Sequence, residues 1–253
     1  MRSAITKSAA TRVEPNEPAP RAVGGGCKNG CMEKRADRQG VSPLLVFAVV
    51  LLAGVLVAGG ALAWQIWGTT ALSARAAERE TAALRASWAA LPGPTADPSA
   101  APVVDPPALG EAGWLLRIPA LGGEWPVIAG VGDDELARGV GWYPGSALPG
   151  QVGNFAVAGN RIGNGEPFRR LLELKVGDEV IVETGAATFT YTLVSAPGEL
   201  TVQADESWVL DPVPGRPEEV PTQALLTLTT AEDLVTTPDR AVGFGTLTKT
   251  ETP

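Results

Sequence analysis

The stretch Asn154–Glu183, NFAVAGNRIGNGEPFRRLLELKVGDEVIVE, predicts a strand, a polar turn, a helical turn and a second strand. The apolar run Phe155–Ala158 ends at Gly159, and a loop rich in Gly and Asn follows at once. This pattern places Asn160 and Arg161 at the end of a strand. We therefore take these two residues as the starting point for a functional site.

The second half of the stretch predicts a helical turn that leads into the next strand. Because Pro is tolerated at the start of a helix, Pro167–Leu172 can form one turn. In that turn Leu172 follows Phe168 by four residues, so both side chains lie on one face. A turn then leads into a Val- and Ile-containing strand at Glu179–Glu183.

The rest of residues 108–253 alternates between short apolar runs and turn signals, which is typical of an all-β barrel with short helices. Apolar residues alternate with Thr over Phe189–Leu193, so the apolar ones are predicted to face inward. Pro126 indicates an edge or a bulge in its strand, and the Gly- and Pro-rich segment Val140–Gly150 predicts a loop. The further predicted strands are Trp114–Pro119, Glu124–Ile128, Thr188–Val194, Ala224–Ala231 and Ala241–Leu247.

Four short boxes of this domain match a known family. They are Ala158-Gly159-Asn160-Arg161, Pro167-Phe168-Arg169-Arg170-Leu171, Gly177-Asp178, and Thr227-Leu228-Thr229-Thr230-Ala231 followed by Arg240. In these boxes the chain resembles the sortases, the membrane-anchored cysteine transpeptidases of Gram-positive bacteria, and most nearly their class E branch. The resemblance implies a closed sortase-type β-barrel with short helices, preceded by a single transmembrane helix.

The resemblance also assigns three catalytic positions, and two of them are substituted. Asn160 stands where the family has its catalytic His, Ala231 where it has the nucleophilic Cys, and Arg240 matches the Arg that stabilises the oxyanion. Transpeptidation needs a thiolate to attack the Thr carbonyl of a sorting signal and a His to protonate the leaving amine. A methyl group and an amide do neither, so the sequence favours an inactive pseudo-sortase.

A ligand groove is expected around these positions, and we assign Trp142, Tyr143, Arg161 and Thr230 to it. Packing of Trp142 and Tyr143 against the barrel wall is the alternative to a ligand-facing position. We expect neither a cofactor nor a metal ion.

Two functions stay open from the sequence. In the first, the protein is a pseudo-sortase that binds a sorting-signal-like peptide, a cell-wall component, a surface protein or an intact sortase without covalent chemistry. The alternative is an active, cysteine-independent enzyme of the sortase or hydrolase type that acts on surface-protein sorting signals. Thr229 or Thr230 would then be the nucleophile and Glu232 or Asp233 the base.

The sequence predicts one membrane span at Leu44–Trp67. These 24 residues carry no charge, and at a helical rise of about 1.5 Å per residue they reach about 36 Å. Ala61-Leu62-Ala63 imitates a signal-peptidase site, but the run is longer than a signal-peptide core and begins far inside the chain. We therefore predict a retained transmembrane helix, with Trp64 and Trp67 at one interface.

The distribution of charge predicts the orientation of this helix. Residues 1–43, which we expect to be a disordered basic tail, hold eight Lys or Arg against four acids, whereas the remainder holds 12 bases against 24 acids. The positive side stays in the cytoplasm, so the chain is predicted to cross the cell membrane once with its C-terminal domain outside. An acidic exterior domain repels phosphates, which argues against nucleic acid as a partner.

Residues 68–107 are predicted to link the membrane helix to the barrel. Thr70–Leu91 is Ala-rich with helical spacing of its apolar residues, which predicts a stalk helix. Pro92–Pro107 contains six prolines and predicts an extended spacer of about 50 Å that lifts the domain from the membrane. Cys27 and Cys31 are read as reduced cytosolic thiols, with acylation, redox and partial metal-site readings as alternatives.

Overall fold

The computed structural model describes residues 42–64, 69–90, 102–231 and 238–252. The chain divides into two units, Met1–Phe47 and Ala48–Pro253, and the described part of the first unit is the beginning of one helix. The helices are α1 (Pro43–Ala63), α2 (Thr69–Ala89) and the single turn α3 (Asp133–Leu136). The strands are β1 (Ala112–Ile118), β2 (Gly123–Ala129), β3 (Val140–Trp142), β4 (Gly153–Ala158), β5 (Glu179–Glu183), β6 (Thr188–Ser195), β7 (Thr201–Gln203), β8 (Ala224–Ala231) and β9 (Asp239–Glu251).

Helix α1 has the composition of a membrane span. It is apolar along its length, and Pro43–Ala61 is long and apolar enough to cross a bilayer. Its large side chains are exposed, which in water would be costly for 19 consecutive residues. The helix is therefore suited to be a membrane anchor.

Eight strands close into a barrel. The order of neighbours is β6-β5-β1-β2-β3-β4-β8-β9, and β6 also pairs with β9, which closes the sheet on itself. The long strand β9 makes this possible, because it pairs with β8 in its first half and with β6 in its second half. The short strand β7 adds to the sheet beside the start of β9. The all-β closed barrel expected from the sequence is confirmed.

Alternating side chains of the strands fill the barrel. Phe189, Tyr191 and Leu193 of β6 are almost fully buried, as their alternation with Thr predicts. Trp114 meets Phe155 edge to face, with 5.7 Å between ring centroids. Each such aromatic side chain stabilises the fold by roughly 2–3 kcal/mol through burial alone.

Strands β4 and β8 lie side by side and run parallel, with Ala158 opposite Thr229. Their carboxyl ends therefore meet at the same end of the barrel. Gly159 follows β4 directly and packs against Phe168. Only a residue without a side chain fits there, because a Cβ at this position would come within 2.5 Å of the Phe168 ring. Phe168 is fully buried, so the ring has little room to move.

Helix α2 packs against the barrel instead of standing apart from it. It contacts β1 and β2, and its Leu84 is buried. Two ion pairs hold α2 on the barrel domain: its Arg85 pairs with Glu124 at 2.8 Å, and its Glu80 pairs with Arg138 at 2.9 Å. The predicted helix is thus present, but its charged residues contact the barrel domain.

The start of the barrel domain also lies earlier than the predicted limit of residue 108. Val104, within the predicted spacer, is buried and belongs to the barrel core. Pro107 packs beside Gly113, where a Cβ would approach its ring to 2.7 Å. The last residues of the Pro-rich segment are therefore part of the packed domain.

Two local predictions were wrong in detail, and a third agrees with the pairing. Val140–Trp142 is a strand, because its pairing with β2 and β4 outweighs a local composition that favours a loop. Pro126 pairs with β1 next to a bulge at Ala112–Trp114 and has no partner in β3, whose pairing begins at Val127, as the predicted edge or bulge requires. After Phe168 the buried residue is Leu171, since the segment forms a 3-10 helix with a spacing of three.

Residues 197–221 contain β7 and a 3-10 helix at Ser207–Leu210. Several predictions lie outside the described residues. They concern the tail with Cys27 and Cys31, the interface residue Trp67, the first part of the Pro-rich spacer, and Glu232 and Asp233.

Candidate functional site

A cavity of about 180 Å³ opens where β4 and β8 end. Among the described residues it is lined by Val131, Leu136, Tyr143, Ala158, Gly159, Asn160, Arg161, Thr229, Thr230, Ala231 and Arg240. Six of the seven site residues predicted from the sequence are thus brought together, although they come from four separate parts of the chain. Trp142 is the exception.

Ala231 and Arg240 lie directly opposite each other. They are cross-strand partners of β8 and β9, so the sheet register alone holds the Arg240 backbone beside the Ala231 methyl group. The guanidinium of Arg240 donates to the backbone oxygen of Asp239 at 3.2 Å. The arrangement sets a cationic side chain next to the end of β8.

Asn160 is held at the cavity by both its backbone and its side chain. Its backbone oxygen accepts from the N–H of Phe168 at 3.0 Å, and its Nδ2 donates to the oxygen of Leu136 at 3.1 Å. The second bond ties the end of β4 to α3, a contact that no local sequence pattern predicts. Asn160 is therefore a positioning residue for the rim of the cavity.

The hydroxyl of Thr230 is already engaged. Thr230 is buried, and its Oγ1 donates to the oxygen of Gly159 at 2.8 Å, while the N–H of Gly159 bonds the oxygen of Thr229 at 3.1 Å. These two bonds join the strand ends. A hydroxyl that donates its proton to a backbone carbonyl is poorly placed to act as a nucleophile.

The two aromatic residues predicted for the groove lie in different environments. Tyr143 lines the cavity, with its hydroxyl 3.4 Å from Oγ1 of Thr229. Trp142 points into the barrel core, where it is 5% exposed and packs edge to face on Trp114 at 5.3 Å. Its Nε1 donates to the oxygen of Ala147 at 3.2 Å, so its polar group is satisfied inside the fold.

Arg161 carries the one polar side-chain atom that is buried without a hydrogen-bond partner within the described part of the chain. This atom is its Nε. Buried N–H groups are almost always paired, and an unpaired guanidinium N–H calls for an acceptor from a ligand or from water. Arg161 is therefore the residue of the cavity whose bonding capacity is least used.

Sequence reasoning missed Val131 and Leu136. They precede β3 in the chain and reach the cavity only because β3 pairs with β4. A polar Gly- and Asp-rich segment gave no signal for this contact. Within the described ranges, no group of three or more His, Cys, Asp or Glu side chains is placed to hold a metal ion.

Comparison with known proteins gives the same family as the site boxes. A family model described as the sortase domain matches residues 116–248. The chain is 35% identical over 88 residues to Sortase D of Bacillus subtilis, a match covering 35% of this chain and 43% of that protein. It is 32% identical over 189 residues to Sortase SrtE1 of Streptomyces coelicolor, covering 72% of this chain and 51% of that protein. The chain thus spans about half or less of the length of these relatives.

Two solved structures are similar as well. Sortase E from Streptomyces avermitilis is 34% identical and superposes with a TM-score of 0.52 over 57% of this chain and 93% of that chain. Sortase E1 from Streptomyces coelicolor with a tripeptide in the active site is 31% identical, with a TM-score of 0.51 over 56% of this chain and 91% of that chain. Together with the matched domain, these similarities show that the chain belongs to the sortase family, with class E homologues.

Proposed function

We propose that this protein is a catalytically inactive member of the sortase family that holds a peptide in the cavity at the end of β4 and β8. One observation carries the proposal: the cavity has Ala231 and Asn160 at the positions that the family resemblance assigns to nucleophile and acid. A methyl group cannot attack a carbonyl, and a side-chain amide does not shuttle protons at neutral pH.

The rest of the chain offers no substitute from the same chemistry. It contains no His, and its two Cys, Cys27 and Cys31, precede the apolar helix α1. Thr230, the alternative nucleophile, donates its hydroxyl to Gly159. These facts favour binding over covalent chemistry.

A peptide is the ligand best supported by the relatives. The solved structure of Sortase E1 from Streptomyces coelicolor has a tripeptide in its active site, and the present cavity retains Arg240 and hydroxyl groups from Tyr143 and Thr229. Loss of the nucleophile removes the covalent step and leaves these polar groups in place. The protein therefore binds a peptide without transferring it.

We also propose that α1 anchors the protein in the cell membrane, with residues 1–43 in the cytoplasm and the barrel outside. The excess of Lys and Arg before α1 supports this orientation. Protease added to intact cells is expected to remove the barrel and to leave the N-terminal tail protected. Protection of the barrel would mean that the orientation is reversed.

The test of inactivity restores the two missing groups. In a Cys27→Ser, Cys31→Ser background, Ala231→Cys with Asn160→His is expected to react with thiol reagents and to cleave a sorting-signal peptide, whereas the parent does neither. Ala186→Cys, in the turn between β5 and β6, is the matched control that gains a thiol without gaining cleavage.

Two results would contradict the proposal. Cleavage or transfer of a peptide by the unmodified protein, abolished by Thr230→Val, would establish a cysteine-independent enzyme. Failure of the unmodified protein to bind any sorting-signal peptide would remove the binding function, whatever the double variant does.

A further inference from the structure

The polar groups that line the cavity are unevenly divided between donors and acceptors. Two basic residues, Arg161 and Arg240, line it, and among the described lining residues no side chain is a carboxylate. This contrasts with the chain as a whole, whose formal net charge is −8. Basic residues at one place in an acidic protein favour an anionic group there.

Two backbone acceptors at the cavity are already used by the protein. The oxygen of Gly159 accepts from Thr230, and the oxygen of Leu136 accepts from Asn160. The buried Nε of Arg161 has no acceptor among the described residues. The buried atom without a partner is thus a donor, and a ligand that satisfies it supplies an oxygen atom.

The size of the cavity limits what can bring those oxygens. About 180 Å³ is smaller than the pockets that enclose drug-sized ligands, which are roughly 300–1,000 Å³. It suits a single terminal residue. The methyl groups of Ala158 and Ala231 line the same space, so a small aliphatic side chain can be accommodated beside the charged end.

From these observations we propose that the cavity binds the free C-terminal carboxylate of a peptide, with Arg161 as the residue that selects it. A carboxylate matches the planar guanidinium, because its two oxygen atoms can accept from two N–H groups of the guanidinium at once. This inference rests on the proposed function, because a site that cleaved peptides would not retain their ends. It adds that the ligand is a chain terminus and not an internal peptide bond.

The test compares two probes on the full chain in an uncharged detergent by titration calorimetry. They are N-acetyl-Ala-Ala-Thr with a free carboxylate and the same tripeptide with a C-terminal amide. The carboxylate probe is expected to bind about 10- to 100-fold more tightly, since hydrogen bonds to charged groups are the strong ones. Added NaCl weakens the binding of the carboxylate probe and leaves the amide probe unaffected.

Variants assign the effect to Arg161. Arg161→Gln is expected to remove most of the preference for the carboxylate probe, so that the two probes bind with nearly equal affinity. Arg169→Gln is the matched control, because Arg169 is exposed, pairs with Glu166 and does not line the cavity. Glu232→Gln with Asp233→Asn, which removes the two acids after Ala231, is expected to strengthen binding of the carboxylate probe.

The outcomes separate this inference from the proposed function. Equal binding of the two probes, or an undiminished preference in Arg161→Gln, overturns carboxylate selection while peptide binding stands. Binding of neither probe at millimolar concentration overturns both. Loss of binding in the variant without the two acids would mean that these acids, and not the arginines, hold the ligand.

Discussion

Strands β4 and β8 carry two polar clusters of opposite character. In the first, Asn154 donates to the oxygens of Val209 and Asp211, both at 3.0 Å, and accepts from Thr227 at 2.7 Å. Asn154 and Thr227 are fully buried, and each side chain is satisfied by the protein itself. In the second, at the other end of the same strands, Arg161 has a buried Nε without a partner among the described residues.

The difference separates structural from functional polarity. A closed network leaves no bonding capacity for a ligand, so its value lies in fixing how the 197–223 segment lies on the barrel. An open one costs stability in the unbound protein and repays it only when an acceptor arrives. The four predictions below test this division, from the largest expected change to the smallest.

Replacing Asn154 by Ala should destabilise the protein by about 3 kcal/mol, because the oxygen of Asp211 loses its donor and the hydroxyl of Thr227 keeps only its longer bond to the oxygen of Val209. Urea unfolding followed by Trp fluorescence measures this. Thr192→Val, which removes an exposed hydroxyl contact to Thr248, is the control and should change stability by less than about 0.5 kcal/mol. A cost below about 1 kcal/mol for Asn154→Ala would show that the first cluster is not structural.

Tyr191 is another buried polar side chain that the protein itself satisfies, because its hydroxyl accepts from the N–H of Gly150 at 2.8 Å. Burial raises the pKa of Tyr191 to about 12, and the Gly150 hydrogen bond offsets only part of this. An unfolded Tyr loses its proton near pH 10, so the unfolded chain releases the proton first. Stability contributed by the neutral phenol is therefore complete below pH 10 and is lost between about pH 10 and pH 12, by roughly 2–3 kcal/mol.

The measurement is the free energy of unfolding of the wild type and of Tyr191→Phe across this pH range. The variant should be less stable at neutral pH, since the Gly150 N–H loses its acceptor, and its decline above pH 10 should be smaller. Parallel curves for the two proteins would mean that Tyr191 is not the group responsible.

Replacing a residue of a partly exposed cluster should cost less stability than Asn154→Ala and more than a change at Arg161. Arg138 joins Glu80 of α2 at 2.9 Å and the oxygen of Gly110 at 2.7 Å, with about a third of its side chain exposed. Arg138→Ala should cost about 1 kcal/mol, since solvent screens the ion pair. A double-mutant cycle with Glu80→Gln should assign less than about 1 kcal/mol to the pair itself, and a larger coupling would group this contact with the closed network of Asn154.

A substitution at Arg161 should give the smallest change in the free energy of unfolding. Arg161→Met keeps an unbranched apolar stem and removes the unpaired Nε with the rest of the guanidinium, so the unbound protein should be unchanged or up to about 1 kcal/mol more stable. Thermal unfolding without peptide measures this. A loss of more than about 1 kcal/mol would show that Arg161 holds the fold together, which would end its separation from Asn154.

Local sequence patterns were enough to predict the elements with a clear period and the residue types at the site. The alternation from Phe189 to Leu193 and the apolar run before Gly159 each indicate a strand, because side-chain burial follows the period of two in an extended backbone. The sequence likewise fixes which side chains stand at 160, 231 and 240. It therefore determined what chemistry the cavity lacks.

Which groups meet, and which of them are already hydrogen-bonded, depends on long-range packing. Trp142 enters the core and Leu136 reaches the cavity because β3 pairs in parallel with β2 and in antiparallel with β4. The docking of α2 depends on Glu124 and Arg138, each more than 30 residues from its partner. Local patterns report the burial of a side chain relative to its own strand, whereas long-range pairing decides whether its polar atoms are satisfied, and that distinction sets Arg161 apart from Asn154.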